Sequence, residues 1–273
     1  MVAQNTKSDG SAIECYVGYY DSSEANAVAF SSQGLHCVGI SIEMVRELGA
    51  RARRLSTSES FLSTAISIAG WHTTGGAPVE SSLHQILLHW LLFHELAHHY
   101  LGDPGPSHLF EFDPADGDLT TQGCELLADE IATNLIATNL LSMRAGEKQQ
   151  IDLMTDLRGV AFAILYSMIG FFLLAGLGPA RSISRHRHPP PIVRLRFILF
   201  HFNRQLASVG LEPLGDEIVA SAFHEIASTL GLHDQWLQVE EFLGTEDGWK
   251  YLYELELKRN ELSKRPRPWV ERT

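Results

Sequence analysis

The chain has 273 residues, 45% of them hydrophobic, which allows a sizeable core in one large domain or two modest ones and excludes a disordered chain. A formal net charge of −12 excludes a general affinity for nucleic acid, since phosphate binding draws on a surplus of Lys and Arg. Three widely spaced cysteines, Cys15, Cys37 and Cys124, suit reduced thiols, and the start MVAQNTKSDGSAIEC lacks the apolar stretch of a secretory signal, so the expected location is the cytoplasm.

Residues 13–20 (IECYVGYY), 27–31 (AVAFS) and 36–41 (HCVGIS) are short and rich in Val, Tyr, Phe and Ile, with Gly and Ser between them, and read as strands of a small sheet. Helical spacing follows at 42–55, with Met44, Leu48 and Leu55 along one side. The loop WHTTGGAPVESS leads into a helix expected at 82–101, capped by Ser81 or Ser82 and ended by Gly102-Asp103-Pro104-Gly105-Pro106. A long acidic loop precedes the next helix, from about Gln122 to Met143. Residues 159–180 then carry no formal charge. Their length is that of a candidate membrane span, but four glycines and a proline interrupt them and no second span accompanies them, which favours a buried helix. RHRHPPP at 185–191 introduces a helix at 192–208, and two or three more complete the chain. No linker divides it.

Charge is unevenly spread. Residues 102–130 hold eight acids and no Lys or Arg, whereas 181–211 hold six arginines and no acid, so the two segments are expected to neutralise one another across the fold.

The string FHELAHHYLG at 93–102 carries the most chemistry. On a helix His94 and His98 differ by about 40° of rotation, so both imidazoles leave one face a turn apart, close enough to share a metal ion. Glu95, about 100° round from His94, sits on the flank of that face, where a carboxylate can touch a water bound to the ion. The surrounding LLHWLLFHELAHHYL is apolar on nearly every side. Polar groups buried there need a partner, and a divalent cation such as Zn2+ is a natural one. At 224–228 the string HEIAS lacks the second histidine and binds nothing by this logic. Leu101 and Pro104 stand where metzincins place a glycine and a third histidine, which excludes that class. His108, behind a Pro-Gly-Pro loop, reads as a surface residue.

The third ligand is expected in CELLADEIA at 124–132, where Glu125 and Asp129 share a face by the same four-residue spacing. Glu125 on a second helix completes a three-ligand site with water in the fourth position. Asp129, one turn on, accepts the outer N–H of His94 and fixes its tautomer. Small Ala128 and Ala132 let the two helices approach. Cys124 points away from the ligand face and reads as a core thiol; the competing reading makes Glu125 and Glu130 ordinary solvated acids.

HELAH followed by an E-x-x-A-D helix resembles the gluzincin metallopeptidases, in particular the family of HtpX and the CAAX prenyl proteases. NAVAFSSQGLHCVGISIEMVREL at 26–48 resembles that family's Asn-Ala-Phe strand, second strand and helix. His188-Pro189-Pro190 with Arg194 resembles its late H-P-P-x-x-x-R element. The resemblance implies a zincin-like α+β fold, a small N-terminal sheet followed by a mostly helical body with the zinc site between two helices. It implies Zn2+ on His94, His98 and Glu125, and Glu95 as general base. It further implies His188 as the group facing the oxyanion, with Arg194 holding it or contacting substrate. From the residues alone, His188 is one histidine of a polar loop, and Arg194 is equally a structural partner of the acidic segment. HtpX-like enzymes carry several membrane spans where this chain has at most one candidate, and the acidic loop at 102–123 is peculiar to this chain. The Lit-type phage-exclusion peptidases are a further resemblance.

The expectation is one domain over 1–273, with a catalytic core at about 13–208 and a helical extension over 209–273. Its activity would be that of a zinc endopeptidase on a protein or peptide substrate, with one of the strands at 27–41 pairing with the extended peptide. The alternative is a regulatory or phage-defence module of the same fold that binds a specific protein partner without turnover.

Overall fold

The computed structural model describes residues 15–32, 35–57, 79–102, 118–144, 188–208 and 233–265, with Glu59, Gly210, Pro213 and Gly215 as single positions between them. These residues form an α+β arrangement of three strands and six helices. Residues 159–180, the acidic loop before Asp118, His108 and the string at 224–228 lie outside the described residues. Among the described residues no helix is long and apolar enough to cross a membrane.

The strands are β1 (Cys15–Tyr20), β2 (Ala27–Ser32) and β3 (Leu35–Ser41), in the spatial order β1-β3-β2. β3 pairs antiparallel with β2, Ala27 opposite Ile40 and Ser32 opposite Leu35, and parallel with β1, Cys15 opposite His36. Among the described residues the sheet edges therefore belong to β1 and β2, and β3 is paired on both sides. Side chains alternate across a strand, so Val38 and Ile40 of β3 point the same way. They pack on Met44 and Leu48 of helix α1 (Ile42–Thr57) and on Leu87 of helix α2 (Val79–Leu101).

Capping explains where the helices begin. Ser41 Oγ accepts the backbone N–H of Met44 at 3.0 Å and that of Asn26 at 2.9 Å, so β3 turns into α1 without a loop. Helix α2 starts at Val79, which puts Ser81 and Ser82 inside its first turn rather than at its cap. It ends where Gly102 takes φ 73°, a left-handed conformation glycine adopts without penalty. Helix α3 (Leu119–Arg144) begins earlier than its apolar spacing suggests, because Asp118 Oδ1 accepts the Thr121 N–H at 2.7 Å. Helix α4 (Pro191–Ser208) opens on a proline, whose missing N–H would be unpaired there in any case. Helices α5 (His233–Leu243) and α6 (Glu246–Ser263) follow, with Thr245 capping α6.

Helix α3 is the centre of the body and touches α2, α4 and α6. Its first turns meet α6 closely: a Cβ on Gly123 would stand 2.9 Å from Leu262 Cδ1. Cys124, Leu127 and Leu262 form a small buried cluster, so Cys124 is a core thiol, and Tyr251 donates a buried 2.6 Å hydrogen bond to Gln122 Oε1. All three cysteines are free thiols. Glu130 is not a solvated acid. It holds the Arg259 guanidinium, which also lies 5.4 Å over the Phe197 ring. One acid of the 102–130 segment is thus neutralised from α6, a partner the charge distribution did not suggest.

His201 of α4, fully buried, completes this junction, with Nε2 3.4 Å from Arg259 Nη2. Burial pushes its imidazole down to about 4; the positive charges of Arg259 and Arg204 add to this and the carboxylate of Glu130 opposes it. An unfolded histidine titrates near 6.5, so between about 4 and 6.5 the unfolded chain binds the extra proton. Stability from this group is complete above that window and falls as pH drops through it, by up to about 1.4 kcal/mol per pH unit. In urea titrations at pH 7 and pH 5, His201→Gln should lose less of its midpoint than the unmodified chain; equal losses would refute the assignment.

Candidate metal centre

Helix α2 brings His94 and His98 to one face, and α3 faces them with Glu125. His94 Nε2 lies 3.4 Å from His98 Nε2 and 3.3 Å from Glu125 Oε2, and His98 Nε2 lies 3.6 Å from Glu125 Oε1. Two ring nitrogens and a carboxylate oxygen, each from a group that can ligate a metal, thus converge between two helices at a largely buried point. The group could hold a metal ion. A cation among these atoms would satisfy all three lone pairs at once.

The far side of His94 is held by Asp129. Nδ1 sits 3.0 Å from Asp129 Oδ1, though off the line of a straight hydrogen bond. Asp129 is fully buried and receives two 2.6 Å hydrogen bonds from Arg194, Nε to Oδ2 and Nη2 to Oδ1. Arg194 is buried and pairs with Asp129 of the acidic segment. It also reaches His188, with Nη1 3.4 Å from the ring's Nδ1. His188 Nδ1 is 2.9 Å from Glu125 Oε2. The shorter contact assigns the proton: Nδ1–H donates to the carboxylate of the candidate ligand rather than to the open side of the site.

Three nearly buried carboxylates, Glu95, Glu125 and Asp129, face one fixed positive charge, Arg194, so the centre carries surplus negative charge, two units with neutral imidazoles and one when His94 is protonated. Burial alone would lower the His94 imidazole, yet Asp129 and Glu125 push it up to about 10. Burial would raise Glu125, but the neighbouring His188 and His94 hold it well below the usual carboxylate range. Arg194 does the same for Asp129 against its burial. A divalent ion would cancel the surplus. Glu95 lies on the flank of the ligand face, and its charge adds to burial in raising the Tyr20 phenol at the end of β1.

Two supports were not read from the sequence. Trp90, one turn before His94, stacks on its ring with centroids 5.2 Å apart and planes 26° apart, and both residues are buried. The four-residue spacing was visible, but an aromatic in an apolar helix reads first as core. His99 Nε2–H donates to the Cys37 carbonyl at 2.7 Å, which leaves its Nδ1 to accept from His36 Nδ1–H at 3.2 Å. This straps the metal turn of α2 to the central strand. The partner lies 62 positions away, and no local pattern announces it.

No protein-family model, curated protein or solved structure matches this chain.

Removing the Arg194 guanidinium leaves Asp129 charged and buried. Arg194→Leu should cost about 3–5 kcal/mol of stability in metal-free protein, and the double variant Arg194→Leu/Asp129→Asn should recover part of it. Urea unfolding of the three proteins measures this. For Trp90, chelator competition should find zinc affinity near the starting value in Trp90→Phe, which keeps a stacked ring, and about tenfold weaker in Trp90→Leu.

Proposed function

We propose that the chain is a zinc-dependent endopeptidase of zincin-like fold and gluzincin ligand set, with His94, His98 and Glu125 holding Zn2+. The observation that carries the reading is the separation of the donor atoms. At the 2.0–2.1 Å typical of zinc–nitrogen bonds, tetrahedral ligands stand about 3.3–3.4 Å apart, whereas octahedral neighbours at that bond length stand about 2.9 Å apart. The 3.4 Å between the two histidine Nε2 atoms and the 3.3 Å from His94 Nε2 to Glu125 Oε2 support the tetrahedral case, while His98 Nε2 lies 3.6 Å from the other carboxylate oxygen, Oε1. Nitrogen donors argue in addition against Mg2+ and Ca2+, which take oxygen.

Zinc bound here supplies two things, a water ionisable near neutral pH and polarisation of the scissile carbonyl. Glu95, one residue from His94, takes the proton of the attacking water and passes it to the leaving amine. Asp129 orients His94, and Arg194 acts only through Asp129 and His188. His188 keeps Nδ1 on Glu125 and, by the resemblance, is the group that faces the substrate oxyanion. The β2 strand, which among the described residues is an edge of the sheet and adjoins α2, pairs with an extended peptide, an assignment β3 cannot fill from the middle of the sheet.

Glu95→Gln should retain one zinc per chain and an unchanged melting temperature, yet lose at least about a hundredfold of its cleavage of unfolded casein. Undiminished cleavage by that variant would dispose of the reading. Retained zinc without cleavage in the unmodified chain would favour the partner-binding alternative.

A further inference from the structure

Helix α6 has two apolar faces. Gly248, Tyr251, Leu255 and Leu262 are buried against the body. Trp249, Tyr253 and Leu257 follow one another at four-residue spacing and are 66%, 66% and 51% exposed. At about 100° per residue this second stripe is centred roughly 180° from the buried one, so it cannot contribute to the packing on α3. It runs along about 12 Å of the helix, two turns. Scattered single apolar residues on a surface need no explanation, but two large aromatics and a leucine aligned on one outward face do.

Acids outnumber bases on α6, five to three. Lys250 is paired with Glu254 and Lys258 with Glu261, both within α6. Among the described residues no basic side chain pairs with Glu246, Asp247 or Glu256 of α6, nor with Glu240 or Glu241 at the end of α5. An aromatic seam bordered by unpaired carboxylates is complementary to an apolar seam bordered by Lys or Arg.

We propose that the Trp249–Tyr253–Leu257 face of α6 is a docking surface for a basic amphipathic segment of another protein. A second copy of this chain would bring the same carboxylates against one another, and an anionic lipid surface would be repelled by them, so neither fits as well. The surface lies on the side of α3 away from Glu125. An occupant therefore leaves the metal centre open, and the proposal stands whether or not the chain is a peptidase.

Two synthetic 18-residue amphipathic helices, one of Leu and Lys and one of Leu and Glu, test this on the full chain by titration of tryptophan fluorescence and calorimetry. The expected result is saturable binding of the Leu/Lys peptide only, weakened severalfold between 50 and 300 mM NaCl, as screening of surface charge requires. Trp249→Ser/Tyr253→Ser should weaken it at least tenfold with an unchanged melting temperature. Glu246→Lys/Glu256→Lys, which leaves the aromatics in place, should weaken it as well. Equal binding of both peptides, or unchanged affinity in either double variant, would overturn the proposal. So would sedimentation showing that the unmodified chain is a dimer and the aromatic double variant a monomer.

Discussion

A guanidinium and a carboxylate, both without solvent exposure, meet through two 2.6 Å hydrogen bonds where α3 and α4 cross. Either group alone would be untenable there, because an isolated buried charge costs several kcal/mol and has no water to fall back on. Together they fix the two helices in register. The rest of the centre depends on that register: Asp129 presents an oxygen to His94, and Arg194 extends a third nitrogen to His188, which in turn holds Glu125. The pair is thus a geometric anchor whose interaction with any bound ion is indirect.

Helix α3 serves two environments at once. One face carries Glu125 and Asp129 toward α2 and α4. The other carries Gln122, Cys124, Leu127 and Glu130 toward α6, with Gly123 allowing a close approach. A weakly amphipathic helix is what such a position demands, since neither side is water. The 209–273 segment accordingly contributes structure to the helix that bears the acid of the site, through Tyr251, Arg259 and Leu262, and is more than an appendage.

Much of this was legible in the sequence because it depends on short-range spacing. The strands, the two helices of the centre and the convergence of His94, His98 and Glu125 follow from alternation, four-residue spacing and the placement of polar groups in apolar surroundings. Helix starts were displaced by up to three residues where a capping side chain, Asp118, lay outside the apolar pattern, or where serines stood one turn too late. Arg194 and Glu130 show the other limit. Both were recognisable as charges, but the partners come from helices whose packing is a property of the whole chain, so one arginine was left with two readings and one glutamate found its partner on α6 instead of in the arginine-rich segment. Trp90 and His99 were hidden for a different reason: aromatic rings in a buried helix are usually filler, and only the neighbouring ring or carbonyl reveals otherwise.

Helices α2 and α3, which meet at His94, His98 and Glu125, are separated by 17 positions in sequence, and the clamp behind them is supplied from a residue 69 positions beyond Glu125, at Arg194. The folded chain brings these groups together and an unfolded one does not, so an ion bound there would favour the folded molecule. Selective occupancy of that kind adds about 1.4 kcal/mol to folding for each tenfold excess of free ion over its dissociation constant. Supply of such an ion would then bear on how long the protein survives cellular turnover.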